Sequence, residues 1–304
     1  MPRVPDYKSG VVVTRSPCPG SWSGSMANCI SCGRQLGASP IGEQNNVCPE
    51  CRRSAVEVPS SWSSATTAAP PQPRAQSRRM PPVTSIIVGV NVAVFVAMGL
   101  SGVSITQPTI PQLLQWGANA GPLTLGGQPW RMLTANYVHI GIIHIALNMW
   151  CFWNLGFLAE RIFGGWTYFL IYSLCGIAGS LASVWWHPGV VGAGASGAIF
   201  GIAGALIAAL YLGKLPIPKE ALRGTLKSLL TFAAYNLFFG GVIAGIDNSA
   251  HIGGLVAGLA LGAALSPHLV SPNEVRENRN RAIFFAAAII LLAAYMLLKR
   301  SVSQ

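Results

Sequence analysis

The chain has 304 residues, of which 51% are apolar and only 10% charged, whereas an average soluble domain carries about a quarter charged residues. That composition excludes an ordinary soluble enzyme and points to a chain made for lipid. Its 20 Lys and Arg against 9 Asp and Glu give a net charge of +11. These bases are spread through the N-terminal region and short segments between apolar runs, without the basic tract or aromatic–basic interleaving of a nucleic-acid surface, so no nucleic-acid partner is expected.

Residues 1–28 are rich in Ser, Gly and Pro without periodicity and read as disordered. The short Val11–Val13 run is far below the apolar length of a secretory signal, so the N-terminus is expected to stay on the side where it is made. From Cys29 the chain reads CISCGRQLGASPIGEQNNVCPEC, two C-x2-C pairs separated by fifteen residues. This spacing suits tetrahedral thiolate ligation of zinc by Cys29, Cys32, Cys48 and Cys51, because each CxxC turn presents two sulfurs to one ion while the spacer forms a small hairpin. A pair of redox CxxC sites is the competing reading. Gly33 and Pro49 supply knuckle-like turn chemistry, and a segment this small needs a staple to fold. Residues 29–53 are therefore expected to form a structural zinc-ribbon-like module, or one that docks a protein partner. Cys18 stands alone, and Cys151 and Cys175 lie in apolar segments, a distribution suited to a reduced compartment. Residues 54–82 read as a flexible linker.

Beyond residue 82, apolar runs recur at lengths able to cross a bilayer, near 83–101, 139–160, 166–186, 196–213, 226–244, 249–266 and 282–298. The expected fold is an all-α polytopic membrane protein, with residues 267–281 a linker to a C-terminal helix and tail over 282–304. Arg74, Arg78 and Arg79 precede the first run, Arg161 follows the second, and Lys214, Lys219, Arg223 and Lys227 lie around the connection between the fourth and fifth. All fall on one side if the N-terminus is cytoplasmic, as do Arg276, Arg279 and Arg281. Lys299 and Arg300 oppose that assignment for the last crossing. The connection over 102–138 is then external, and its apolar patches suit the membrane interface.

Ionisable groups inside a membrane are costly, so their default reading is functional. Gly194-Ala195-Ser196-Gly197 lies where the chain enters the fourth apolar run, which places the Ser196 hydroxyl near a helix N-terminus whose unpaired N–H groups can receive an oxyanion. A serine needs a base to become a nucleophile, and His251 lies on the sixth run. Gly197 and Gly201 on one run, and Gly254, Gly258 and Gly262 on the other, repeat at four-residue spacing, so the two backbones can approach closely. On the second run His144 and Asn148 are four apart, share a helix face and can both donate hydrogen bonds to an oxyanion. His139 is expected nearer the external rim.

With these residues the segment from about 83 to 266 resembles the rhomboid intramembrane serine proteases. The resemblance rests on Trp130-Arg131, on His139-x4-His144-x3-Asn148, on Glu160-Arg161, on GxSG around Ser196 and on AHxxG around His251. It implies a six-helix rhomboid-like bundle, followed here by a seventh helix and preceded by the zinc-ribbon-like module. It further implies a Ser196/His251 dyad without a third acid, and an oxyanion hole of His144, Asn148 and the Ser196 amide. Gly194, Gly197 and His139 would be supporting residues, with His139 ordering water or bracing the first loop, and Phe200 would take the place of an aromatic that packs on the base in many relatives. No cofactor is implied for catalysis. Substrates would be single-span membrane proteins cut in the lipid bilayer, and the setting would be the inner membrane of a bacterium.

Each residue also has a plainer reading. Ser196 can be a small packing residue, His251 a structural histidine, and His144 and Asn148 interhelical glue. Asp247, one turn before His251, invites a third triad member, but Asp247-Asn248-Ser249 is also a run of N-cap residues, and capping is expected. Arg131 and Glu160 are expected to anchor backbone. A proteolytically inactive rhomboid-like binder of membrane proteins is the main alternative, and a solute transporter lacks the expected pair of broken helices in repeated halves.

Overall fold

The structure, a computed structural model, describes residues 27–29, 32–33, 35–36, 50–51, 81–243 and 245–302. The chain divides into two compact units, Met1–Gln76 and Ser77–Gln304. Cys48, residues 1–26 and the interdomain stretch 54–80 lie outside the described residues.

In the first unit, strand β1 (Ala27–Asn28) pairs antiparallel with β2 (Gln35–Leu36). The turn between them holds the first CxxC pair. Gly33 takes φ +76° and its N–H donates to the Cys29 carbonyl at 2.8 Å. That left-handed conformation costs glycine nothing and closes the knuckle under Cys29 and Cys32.

Among its described residues the second unit has seven long helices: α1 (Pro82–Leu100), α2 (Ile142–Phe163), α3 (Gly165–Trp186), α4 (Ser196–Leu212), α5 (Lys219–Val242), α6 (Asn248–Leu265) and α7 (Asn273–Val302). Among the described residues, α1, α2, α3, α6 and α7 are long and apolar enough to cross a membrane. The expected fourth and fifth spans differ from these. Helix α4 has only 17 residues and is buried almost throughout. It is apolar on every side because it is wrapped by other helices, which is how an all-round hydrophobic helix is accommodated. Helix α5 opens with Lys219, Glu220, Arg223 and Lys227 and buries only Leu229, Ala233 and Gly240, so it lies at the edge of the bundle.

Two boundaries also depart from expectation. Helix α2 begins at Ile142, not at 139, because Gly141 sits at φ +84° and breaks the chain there. His139 therefore precedes the helix and is fully buried. Helix α7 starts at Asn273, ahead of its apolar run, where linker was expected. Its first turns are charged but helix-favouring, with Arg276 donating to Asn273 at 2.9 Å and Arg281 facing Glu277 one turn earlier.

Helices α3, α4 and α6 form the centre, and glycine sets their spacing. A Cβ on Gly254 would collide with the Gly197 carbonyl oxygen and one on Gly258 with that of Gly201, and one on Gly262 would lie 2.5 Å from that of Ala205. The four-residue repeats on α4 and α6 thus mesh rung by rung, backbone against backbone. On the third side, a Cβ on Gly179 of α3 would lie 2.6 Å from the Ala250 carbonyl oxygen. Around this centre, Phe152, Tyr168, Tyr172, Ile202 and Leu206 form the main apolar core.

Charged groups tie the frame together. Glu160, near the end of α2, accepts from the Val83 and Thr84 amides at 3.0 and 2.8 Å and from the Thr84 hydroxyl at 2.8 Å. A carboxylate there satisfies the orphan N–H groups at the start of α1. The 101–141 connection is folded into short helices and a strand, Asn119–Ala120, that pairs with Val191–Gly192. Buried Arg131 donates to the Leu114 and Ala118 carbonyls at 2.7 and 2.9 Å and to Gln128 at 2.7 Å, anchoring that loop.

Candidate active site

Ser196 is the first residue of α4. The turn that delivers it is held at three points. Gly194 has φ +128°, and its N–H donates to the Ala135 carbonyl at 2.9 Å. The Ala195 N–H donates to His139 Nε2 at 3.3 Å. A Cβ on Gly194 would lie 2.6 Å from Cε1 and 2.9 Å from Nε2 of His144, so glycine is required there by both conformation and space. The Ser196 amide belongs to the first turn of α4, where N–H groups have no intrahelical acceptor.

His251 sits in the first turns of α6, 7% exposed, with Nε2 2.9 Å from Ser196 Oγ. Its ring stacks on Phe200, one turn after Ser196, with centroids 4.4 Å apart and planes 14° from parallel. Phe200 in turn packs against Phe232 of α5. The aromatic floor holds the imidazole plane while the glycine rungs set the distance between the two helices.

His144 and Asn148 lie one turn apart on α2, as their spacing predicts. His144 Nδ1 accepts from the Ile140 N–H at 3.3 Å, which puts its proton on Nε2, the nitrogen against Gly194. His144 is thus a donor aimed at the Ser196 turn. Asn148 Nδ2 donates to the His144 carbonyl at 2.9 Å, leaving its second N–H for another acceptor. A cavity of about 540 Å³ has Ser196, His251, His144, Asn148, Gly194, Gly197 and Phe200 on its walls. His139 stands outside that lining, bonded to the Ser196 turn and packed against the His144 ring with centroids 5.3 Å apart.

Asp247 caps α6, accepting from the Ala250 N–H at 3.2 Å and from the Ser249 hydroxyl. The atom beside His251 Nδ1 is instead Asn248 Oδ1, at 3.3 Å. Sequence reasoning missed Asn248 because it reads as a helix-capping residue. The signal was its position three residues before His251, which places both on one helix face.

The sulfurs of Cys29, Cys32 and Cys51 lie within 4.8 Å of one another, close enough to ligate one ion. Three converging thiolates suit a soft or borderline metal such as zinc.

Residues 126–268 match the Rhomboid domain family. The chain is 39% identical over 185 residues to Rhomboid protease GluP of Bacillus subtilis, covering 61% of this chain and 35% of that protein. It is 33% identical over 154 residues to RHOMBOID-like protein 4 of Arabidopsis thaliana, covering 50% of this chain and 38% of the relative. With Rhomboid protease AarA of Providencia stuartii the identity is 29% over 206 residues, 60% of this chain and 72% of the relative. The chain thus spans little more than a third of the length of the first two. The chain is an all-α polytopic membrane protein that is similar, over residues 126–268, to the rhomboid family.

Proposed function

We propose that this protein is an intramembrane serine endopeptidase that cuts other membrane proteins in or beside the bilayer. The observation that carries the reading is the 2.9 Å contact between Ser196 Oγ and His251 Nε2 at a cavity also lined by His144 and Asn148. Neutral His251 takes the Ser196 proton as Oγ attacks the scissile carbonyl, and the imidazolium then returns the proton to the leaving amine. The negative charge of the tetrahedral intermediate falls on the carbonyl oxygen. Donors for it converge from the Ser196 amide, His144 Nε2–H and the second N–H of Asn148. Asp247 Oδ1 caps α6 and the atom beside His251 Nδ1 belongs to Asn248, which supports a dyad rather than a Ser-His-Asp triad.

The catalytic domain in this reading is 83–266, with α7 an added seventh helix. The cavity faces an aqueous rim opposite a cytoplasmic N-terminus, in the inner membrane of a bacterium. Substrates are single-span proteins whose helix unwinds at small residues, since an extended peptide must reach Ser196. Cys29, Cys32, Cys48 and Cys51 hold a structural zinc that takes no part in the chemistry and shapes a docking module for a protein partner. The reading is tested by reconstituting the purified protein in liposomes with a panel of labelled single-span reporters and a fluorophosphonate that reacts only with activated serines. Labelling at Ser196 together with reporter cleavage supports it, and a protein that binds reporters but neither cleaves nor labels would be a binder instead.

A further inference from the structure

We propose that Asn248 is the positioning residue for the His251 base, and that it is itself held by helix α5. The role rests on the Ser196/His251 reading and extends it by one partner. Asn248 Oδ1 lies 3.3 Å from His251 Nδ1, and Asn248 Nδ2 donates to the Leu237 carbonyl of α5 at 2.9 Å.

These two contacts fix the amide's orientation. Flipped, the amide would point its oxygen at the Leu237 carbonyl, acceptor against acceptor, and would set an N–H against His251 Nδ1. With the nitrogen committed to Leu237, the oxygen faces His251, so the Nδ1 hydrogen donates to it. The neutral ring then carries its proton on Nδ1 and presents the Nε2 lone pair to Ser196 Oγ. A base in the other tautomer could not accept the serine proton at all. Asp247, although adjacent in sequence, is engaged by Ala250 and Ser249 and leaves this position to Asn248.

Helix α5 has made room for the arrangement. A Cβ on Gly240 would collide with Asn248 Oδ1 and stand 2.9 Å from its Cγ, so a side chain at 240 must push the amide off His251. The tautomer of the base is therefore set by contacts that α5 provides, one through a carbonyl and one through a missing side chain.

Steady-state cleavage of a labelled single-span reporter in liposomes, with fluorophosphonate labelling of Ser196 in parallel, tests the role. Asn248→Ala should lower kcat by at least about tenfold, a fraction of the roughly 100- to 10,000-fold that a positioned base contributes, while KM changes less than about twofold. Asn248→Asp restores an acceptor for Nδ1–H and should recover most of the lost kcat, although its second oxygen cannot donate to Leu237. Gly240→Ala should lower kcat in the wild-type background and have little further effect beside Asn248→Ala, because the clash is then gone. An Asn248→Ala enzyme that melts earlier but keeps its kcat would overturn the role, as would Asp failing to rescue it. Wild-type protein that leaves Ser196 unlabelled would overturn the dyad itself, and with it this role, a result distinct from a labelled enzyme indifferent to residue 248.

Discussion

Gly254 of α6 lies directly against Gly197 of α4, so close that a Cβ on Gly254 would overlap the Gly197 carbonyl oxygen. Gly197 follows Ser196, and Gly254 lies three residues after His251, so this rung sets the separation of Ser196 and His251. Gly254→Ala should force the helices apart, costing about 1–3 kcal/mol as overpacking generally does, and should reduce reporter cleavage by at least about tenfold. Gly224→Ala, where a Cβ meets nothing within 4 Å, is the matched control and should keep full cleavage while gaining up to about 1 kcal/mol of helix stability. Full activity in Gly254→Ala would show that the rung does not set the dyad.

The donors on α2 make a separate prediction. Asn148→Ala should lower kcat by at least about tenfold with a smaller change in KM, because an oxyanion donor acts in the transition state rather than on bound substrate. His144→Ala should behave similarly or more severely, since its Nε2–H abuts the Ser196 turn. If Asn148→Ala lowers only the melting temperature, its amide is interhelical glue, and its bond to the His144 carbonyl is all that it does.

His139 predicts a pH effect on stability. It lies outside the membrane helices, and burial, aided by nearby His144, pushes its pKa from 6.5 down to about 3. The unfolded chain therefore takes up this proton near pH 6.5 while the folded protein refuses it until about pH 3. Stability is full above that window and falls as pH falls through it, by at most about 1.4 kcal/mol per pH unit. His139→Gln retains an acceptor for the Ala195 N–H but does not titrate. Melting curves at pH 7.5 and pH 5 should show a larger loss in wild type than in His139→Gln, and equal losses would contradict this account.

For the N-terminal unit, metal analysis of the purified full chain should find one zinc, and Cys32→Ser should remove it. Deleting residues 1–76 should leave reporter cleavage intact. A truncated protein that folds but cleaves nothing would show that the unit is not a separate accessory.

What was legible in the sequence follows from what periodicity and small residues encode. The glycine repeats announced the meeting of α4 and α6, and the His144/Asn148 spacing announced a shared face, because both are properties of helix geometry. Helix lengths were less legible. Hydropathy sees apolar runs only, so it missed the charged first turns of α5 and α7 and could not distinguish α4, a short buried core helix, from α5, an edge helix. Asn248 was hidden because its contact to Leu237 joins α5 to α6, and nothing in local sequence reports that neighbour.

The central claim is that Ser196 and His251 act as one unit. Its most direct measurement is cleavage of a labelled single-span reporter by wild type, Ser196→Ala and His251→Ala, each purified, shown to be folded by its melting curve, and reconstituted in liposomes. Wild type should cleave, and both variants should fall to background by a similar factor, because removing either member of a dyad removes the same step. Near-normal turnover in either folded variant would contradict the account.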